Sequence, residues 1–403
     1  MTQKQTNKQS RLVNRRAFIG SSVGIAAGLA GCTGDGGGGG GTPTGTTSGG
    51  TASKEASDLK EEFDITEPGY EVEDELTILQ WSGYWPTYFV PNFEAIFDVN
   101  VNVSFFDSNP SLINKLRSLG EGEVDLVFPT DHYSNRLATQ DFFQPLDTSK
   151  IPNWGNFKPK FQNPGYEPED DKNWTAPFNW GYTGIGNNTN VTGGELPNTW
   201  DVLWDDEFSG DITMLDGMDI FYAAFLKLGY DTINVSDQDK IDEAKELLIQ
   251  QKDMLKGYNS TNIQSFLETG EASPAQAWNG QFMKAWDNLH EDGSSPIQPI
   301  VPEEGCQIWT DAGAVMKDAA NPNAAHAFIN YYLNTKVHAD LTEWLVYPTT
   351  LQNESEYRDD DRLFEQPAFS PKGDMLGRME YAKPRDSETD QYMSDAFSEI
   401  KNA

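Results

Sequence analysis

The chain has 403 residues, of which 37% are hydrophobic and 12% aromatic, so it has enough apolar material for folded cores in more than one domain. Its formal net charge is −34, from 63 acidic and 29 basic residues. This surplus of negative charge repels phosphates and argues against nucleic acid as a partner. We attribute most of the charge to solvation in concentrated salt, because a single cation site needs only a few carboxylates.

The first 31 residues are predicted to be an export signal. Arg15 and Arg16 form a twin-arginine pair, and residues 19–30 are a glycine- and alanine-rich apolar run that is too short to span a membrane. The segment that ends at Cys32 resembles a lipobox, in which the cysteine thiol receives a lipid. We therefore expect an exported protein that is anchored to the outer face of the cell membrane through Cys32. The alternative is an ordinary cleavable signal.

Residues 32–74 are predicted to be a tether. The first part is rich in Gly, Thr and Ser and cannot bury apolar surface, and residues 54–74 contain many acids and read as a solvated lead-in. Only two cysteines occur, Cys32 and Cys306, so lipidation of the first leaves no intrachain disulfide.

From residue 75 the hydrophobic pattern alternates between strands and helices. Strands are predicted over 76–81, 101–106 and 125–129, with helices over 91–97 and 110–119 between them, an order that implies βαβ units and an α/β sheet. Ligands of open α/β sheets lie beyond the carboxyl ends of the strands. The residues that follow the first and third strands are therefore predicted to face a cleft: Trp81, Ser82, Gly83 and Tyr84, then Thr130, Asp131, His132 and Tyr133.

The middle of the chain supplies further candidates. Residues 176–186 form an aromatic, glycine-punctuated segment that is either a crossing between two lobes or an ordinary strand. Asp216 follows a predicted strand over 212–215, and Asp219 precedes a helix over 220–228, where helix capping is the alternative role for both carboxylates. An amphipathic helix is predicted from Ser236, with its apolar stripe ending at Leu255. Trp278 lies in a predicted strand over 275–280 that leads into a loop.

The stretch 306–313 carries the most specific chemistry. In an extended strand Trp309 and Asp311 point to the same face, which places an indole ring beside a carboxylate. Such a pair suits a cation, although one Trp-x-Asp is more often a core indole followed by a solvated turn. The sites at residues 81–84, 216–219 and 278 repeat this chemistry. We expect them to converge on one cleft that holds an organic cation without reacting with it.

With these pieces in place, the chain resembles the spermidine/putrescine-binding family of extracellular solute-binding proteins that serve ABC importers. The resemblance covers about residues 75–350. It is carried by the following stretches, in this order: 81–84 (WSGY), 125–130 (DLVFPT), 177–181 (PFNWG), 228–230 (LGY), 278–280 (WNG), 304–305 (EG), 309–311 (WTD) and 347–349 (YPT).

The resemblance implies a two-lobed α/β fold with crossing segments and an interlobe cleft that closes on a polyamine. In that arrangement Trp81 and Tyr84 would pack on the methylene chain, Asp216 and Asp219 would take one ammonium, and Asp311 would take another amine. Trp278 and Trp309 would line the middle, and Tyr347 would close one end. Methylene chains with separated charges suit such walls.

Two positions depart from the family pattern. Gly83 stands where an acid is frequent, and His132 stands where a tyrosine is expected. We hypothesise that Asp131 partly replaces the missing charge. A metal site at His132 is not expected, because the chain has only four histidines and no metal-spaced cluster.

The predicted lobes comprise residues 75–182 with about 312–350, and residues 183–311 with about 351–403. We expect a monomer without a cofactor or enzymatic activity that delivers its solute to a membrane permease. Three alternatives stay open at this point. They are the same scaffold with a sugar, amino acid or chelate, a glycosidase that uses Asp216 and Asp311, and a surface adhesin.

Overall fold

A computed structural model describes residues 54–168 and 170–403. The predicted export signal, Cys32 and most of the predicted tether lie outside the described residues. In the described part no helix is both long and apolar enough to cross a membrane.

The described residues build one sheet of ten strands, most of them short and buried. In chain order the strands are β1 Glu75–Trp81, β2 Asn100–Phe106, β3 Leu126–Val127, β4 Ala176–Asn188, β5 Ile212–Met214, β6 Leu255–Tyr258, β7 Ala275–Trp278, β8 Ile297–Ile300, β9 Cys306–Val315 and β10 Met379–Tyr381. The order across the sheet is β2-β1-β3-β9-β4-β7-β5-β6, with β8 on β4 and β10 on β9.

The α-helices lie between these strands. They are α1 Ala56–Glu62, α2 Phe89–Phe97, α3 Asn109–Ser118, α4 Asp131–Thr139, α5 Pro159–Gln162, α6 Thr189–Thr192, α7 Asp219–Lys227, α8 Gln238–Gln251, α9 Ile263–Thr269, α10 Asn279–Asn288, α11 Pro322–Tyr332, α12 Thr335–Leu345, α13 Asp374–Gly377 and α14 Ser387–Asn402. Ser108 caps α3, since its side chain accepts a hydrogen bond from the backbone N–H of Ser111 at 3.2 Å.

Two long antiparallel strands, β4 and β9, join the parallel strands at either end of the sheet. Every residue of both strands is buried. The carboxyl-terminal end of β9 pairs with β3, and the carboxyl-terminal half of β4 pairs with β7 and β8. Of the two interpretations of residues 176–186, the crossing segment is therefore the one that the sheet supports.

The buried hydrophobic residues of the described chain form three clusters. One large cluster is drawn mainly from residues 182–301 and 363–400, whereas the other two are drawn from residues 59–180 and 308–351. Burial of this size is the main favourable contribution to folding.

Several local predictions are wrong. Residues 54–74 are not simply solvated, because Leu59 in α1 is buried and the hydroxyl of Tyr70 donates to the carbonyl of Lys150 at 3.0 Å. Helix α10 begins at Asn279, directly after β7, where a loop was expected, and α4 begins at Asp131, where no helix was predicted. Leu255 lies in β6 and not in the stripe of α8, which ends at Gln251.

Candidate functional site

The floor of the candidate site is formed by one face of the β4–β9 pair. Asn179 is paired with Asp311 and Gly181 with Trp309, and the hydroxyl of Thr183 lies 3.3 Å from the side-chain oxygen of Gln307. Because side chains alternate along a strand, these residues point to the same side of the sheet. Asn179 and Thr183 are four residues apart, which in an extended strand is about 13 Å.

Asp311 lies at one end of this floor and is only 5% exposed. Its carboxylate accepts hydrogen bonds from the hydroxyl of Thr130 at 2.7 Å and from the hydroxyl of Tyr84. Burial raises the pKa of Asp311 to about 7, although both hydroxyls oppose the rise. The carboxylate has no Lys or Arg among its hydrogen-bond partners in the described chain, so its charge is not neutralised by the protein.

The donors to Asp311 come from distant parts of the chain. Thr130 is the N-cap of α4, but its side chain makes no capping hydrogen bond and donates to Asp311 instead. The hydroxyl of Tyr84, in the turn after β1, also lies 3.1 Å from the side-chain oxygen of Asn179. The carboxylate is thus positioned by hydroxyl groups from two separate segments.

Aromatic rings stand over the middle of the floor. Trp309 and Tyr347 meet edge to face, with ring centroids 5.1 Å apart. Glycines make room for both rings: a Cβ atom at Gly181 would lie 2.4 Å from the indole of Trp309, and one at Gly280 would lie 2.5 Å from the ring of Tyr347. Burial and the nearby Asp311 raise the pKa of Tyr347, so its hydroxyl stays neutral.

Asp219 lies at the other end, as the first residue of α7. Its carboxylate accepts hydrogen bonds from the hydroxyl of Thr183 at 3.2 Å and from the indole nitrogen of Trp278 at 3.4 Å. Burial raises the pKa of Asp219, and the nearby His132 acts in the opposite direction. Its two side-chain hydrogen bonds in the described chain, like those of Asp311, come from neutral donors.

Asp131 and His132 form a hydrogen-bonded pair in the first turn of α4. Asp131 is fully buried; one carboxylate oxygen accepts the backbone N–H of Thr310 at 2.9 Å, and the other lies 2.8 Å from Nδ1 of His132. The carboxylate of Asp131 is therefore already engaged by groups of the protein.

Trp81 and Ser82 lie at the carboxyl end of β1. The indole nitrogen of Trp81 donates to the carbonyl of Phe128 at 2.9 Å, and its ring centroid lies 4.5 Å from that of Phe106. Ser82 is exposed in the turn that follows, where Gly83 has a φ of 69°. That left-handed conformation favours glycine over the acid that the resemblance leads one to expect.

Asp216 stands apart from both carboxylate clusters in its contacts. Its side chain is 43% exposed and forms an ion pair with Lys401 at 2.6 Å, near the end of α14. None of the hydrogen bonds of the described residues joins it to Asp219, Trp278 or Asp311.

Thr130 was predicted from the sequence to face the cleft, but four other polar residues of the site were not: Asn179, Thr183, Asn279 and Gln307. The sequence did contain a signal for two of them. Asn179 and Thr183 each lie two residues from Gly181, so in an extended segment over 176–186 all three are on one face. Within this site, three buried donors find no acceptor among the described residues, namely Nδ2 of Asn179, Nδ2 of Asn279 and Nε1 of Trp309. Among the described residues no group of three or more His, Cys, Asp or Glu could hold a metal ion.

Comparison with known proteins identifies a family and several relatives that this chain resembles. Residues 124–368 match the model of a family described as bacterial extracellular solute-binding protein. Spermidine/putrescine-binding periplasmic protein 1 of Haemophilus influenzae is 30% identical over 305 residues, which cover 75% of this chain and 82% of the relative. The putrescine-binding periplasmic protein PotF of Escherichia coli is 28% identical over 339 residues, which cover 81% of this chain and 91% of the relative.

A solved structure supports the fold. The spermidine/putrescine ABC transporter substrate-binding protein PotD of Streptococcus pneumoniae superposes with a TM-score of 0.68 at 24% identity, covering 82% of this chain and 99% of that protein. The predicted two-lobed α/β fold of a periplasmic binding protein is thereby confirmed. The match of the family model to more than half of the chain, together with these relatives, assigns the chain to the family of bacterial extracellular solute-binding proteins that includes the spermidine/putrescine-binding periplasmic proteins.

Proposed function

We propose that this protein binds a polyamine between its two lobes and delivers it, without reacting with it, to the membrane permease of an ABC importer. One ammonium group of the ligand is held by Asp311 and another by Asp219. The methylene chain lies against Trp309 and Trp278, and Tyr347 closes the end beside Asp311. Trp81 contributes from the end of β1, and Tyr84 from the turn that follows it.

The observation that carries this proposal is a pair of carboxylates beside indole rings, one buried and the other partly buried. Asp311 is buried with a pKa of about 7, and the pKa of Asp219 is also raised by burial. Each accepts its side-chain hydrogen bonds from neutral groups in the described chain. A carboxylate without water or a positive partner is costly, and a bound ammonium removes that cost. Two such groups at opposite ends of a floor about 13 Å long suit an elongated cation with charges at both ends.

The remaining assignments follow from the sequence and the relatives. We propose that Cys32 carries a lipid after twin-arginine export, so that the binding domain stands on the outer face of the cell membrane as a monomer. We also propose lobes of residues 75–182 with about 312–350, and of residues 183–311 with about 351–403. The separate hydrophobic cores support this division.

The three unpaired donors favour a second candidate ligand. Asn179, Asn279 and Trp309 offer buried N–H groups, and a polyamine has no oxygen atom to accept from them. An organic cation that also carries a carboxylate or carbonyl, such as a basic amino acid, would satisfy both the carboxylates and these donors. Such a ligand would use the same two-lobed scaffold.

Calorimetric titration tests the proposal. The purified domain is titrated with spermidine, putrescine, arginine and a neutral disaccharide at low and high salt, and its thermal unfolding is followed in parallel. A ligand present at one hundred times its dissociation constant should add about 2.7 kcal/mol to the free energy of unfolding. Saturable binding of a polyamine supports the proposal. Binding of arginine alone would establish the second candidate, and binding of the disaccharide alone would refute both.

A further inference from the structure

Strand β7 carries a glutamine that is completely buried. Gln276 is 0% exposed, in a strand whose other residues are alanine and tryptophan. It lies two residues before Trp278, so both side chains point to the same face of the sheet. A buried amide destabilises a protein unless its oxygen and nitrogen find hydrogen-bond partners. The partners of Gln276 therefore indicate which part of the structure it holds in place.

Both ends of this amide bind the main chain of the segment that joins β5 to α7. Oε1 of Gln276 accepts the backbone N–H of Leu215 at 3.2 Å, and Nε2 donates to the backbone carbonyl of Asp219 at 3.0 Å. Leu215 directly follows β5, and Asp219 is the first residue of α7. Only one orientation of the amide satisfies both bonds, because its oxygen cannot donate and its NH2 group cannot accept. A single side chain therefore links the end of the strand to the start of the helix.

The start of α7 has no side-chain cap among the described residues. Met218 occupies the N-cap position, and its side chain makes no capping hydrogen bond. In the turn that leads into the helix, the backbone N–H of Ile220 lies 3.4 Å from the carbonyl oxygen of Gly217, which is long for a hydrogen bond. The contact of Gln276 with the carbonyl of Asp219 is shorter. We conclude that the position of this helix end relative to the sheet depends on Gln276.

Asp219 is thus held by two side chains from one face of β7. The indole nitrogen of Trp278 lies 3.4 Å from its carboxylate, whereas Nε2 of Gln276 lies 3.0 Å from its main-chain carbonyl oxygen. The hydroxyl of Thr183 also donates to the carboxylate, at 3.2 Å. Because the contacts to the carboxylate are the longer ones, the main-chain contact contributes most to fixing where this residue lies.

We propose that Gln276 is the positioning residue for the Asp219 end of the site. Its amide fixes the start of α7 at the place where the Asp219 carboxylate can receive a ligand ammonium. This inference rests on the proposed polyamine site and adds to it a residue that the ligand does not touch. Without the amide, the loop 215–218 and the first turn of α7 gain conformational freedom, and ordering them when the ligand binds costs free energy.

The variant that tests this role is Gln276→Met, which removes the amide and nearly keeps the volume of the side chain. Gln251→Met is the matched control. Gln251 is also 0% exposed, and its Nε2 donates to the carbonyl of Leu203 at 2.6 Å. Its hydrogen bonds in the described chain do not reach the segment 215–219. Both variants therefore lose a buried glutamine amide, but only one loses a contact with the Asp219 end.

Calorimetry measures the dissociation constant for spermidine in the wild type, both methionine variants, Asp219→Asn and the double variant Gln276→Met/Asp219→Asn. We expect Gln276→Met to weaken binding by about fivefold and Gln251→Met to stay within about twofold of the wild type. The double variant should lose about tenfold, the same as Asp219→Asn alone, because the position of a carboxylate that is absent no longer matters. Independent effects would instead multiply to about fiftyfold.

Several results would overturn the inference while leaving the polyamine site intact. They are an unchanged affinity in Gln276→Met, an equal loss in Gln251→Met, and a fiftyfold loss in the double variant. Absence of spermidine binding by the wild type would overturn the proposed function, and this role of Gln276 with it.

Hydrogen exchange of the unliganded proteins tests the positioning without any ligand. The backbone N–H of Leu215 and those of the first turn of α7 should exchange about fivefold faster in Gln276→Met than in the wild type or Gln251→Met, because local opening becomes easier. Equal exchange rates in the three proteins would contradict the inference.

Discussion

The two ends of the proposed site hold their carboxylates differently. Asp311 is buried on a strand that both lobes share, and hydroxyl groups from two distant segments fix its position. Asp219 is the first residue of a helix, and its contacts with Thr183 and Trp278 are longer, at 3.2 and 3.4 Å. The positive end of the helix dipole compensates part of its charge. From this difference we infer that Asp311 is the preorganised anchor of the proposed site, and we expect Asp219 to gain further contacts when a ligand binds.

The largest expected effect is that of Asp311→Asn on ligand binding. Loss of the negative charge removes one member of a buried ion pair with the ligand, so we expect the affinity for a polyamine to fall by about thirtyfold or more. Calorimetry measures the loss, and Asp216→Asn serves as the matched control. Unchanged affinity in Asp311→Asn would show that Asp311 does not anchor the ligand.

The same substitution should change how stability depends on pH. The pKa of Asp311 is raised in the folded protein to about 7, so the folded state binds more protons than the unfolded state between about pH 4 and 7. Stability is therefore lost as the pH rises through this window, by roughly 2 to 3 kcal/mol between pH 5 and 8.

Chemical denaturation of the unliganded proteins at several pH values measures this contribution. Burial also raises the pKa values of Glu167 and Glu354 to about 7, which gives the same sign. The difference between the wild type and Asp311→Asn isolates Asp311. We expect the variant to be the more stable protein at pH 8, and equal pH profiles would contradict this expectation.

Asp219→Asn should weaken binding less than Asp311→Asn. The helix dipole and the partial exposure of Asp219 reduce the cost of its unpaired charge, so we expect a loss of about tenfold in affinity and little change in stability. A loss as large as that of Asp311→Asn would show that the two ends are equivalent.

Asp216→Asn should have the smallest effect. Its carboxylate is exposed and already paired with Lys401, and exposed ion pairs contribute about 0 to 1 kcal/mol. We expect the polyamine affinity to stay within about threefold of the wild type. A larger loss would indicate that Asp216 contacts the ligand, as the resemblance implies, and that the ligand displaces Lys401.

The parts of the molecule that sequence predicted are those governed by local pattern. Alternation along β9 put Trp309 and Asp311 on one face, and the hydrophobic periods located the strands and most helices. Helix α4 was missed because Asp131 to Asn135 are mainly polar and give little apolar stripe. Helix α10 was missed because Gly280 in its first turn discourages a helix, although that glycine leaves the space that the ring of Tyr347 occupies.

The contacts that define the site depend on partners far away in the chain. Tyr84 and Thr130 reach Asp311 across 227 and 181 residues, and Lys401 reaches Asp216 across 185 residues. Periodicity and residue spacing do not reveal contacts between positions so far apart in the sequence. Sequence therefore predicted which chemical groups the proposed site uses, but it could not show that Asp216 has its own ion-pair partner.

The most direct test is a crystal structure of the protein with spermidine bound. We expect one ammonium within hydrogen-bond distance of the Asp311 carboxylate, another beside Asp219, and the methylene chain against the indole of Trp309. A ligand bound elsewhere, or one whose ammonium groups contact neither of these carboxylates, would contradict it.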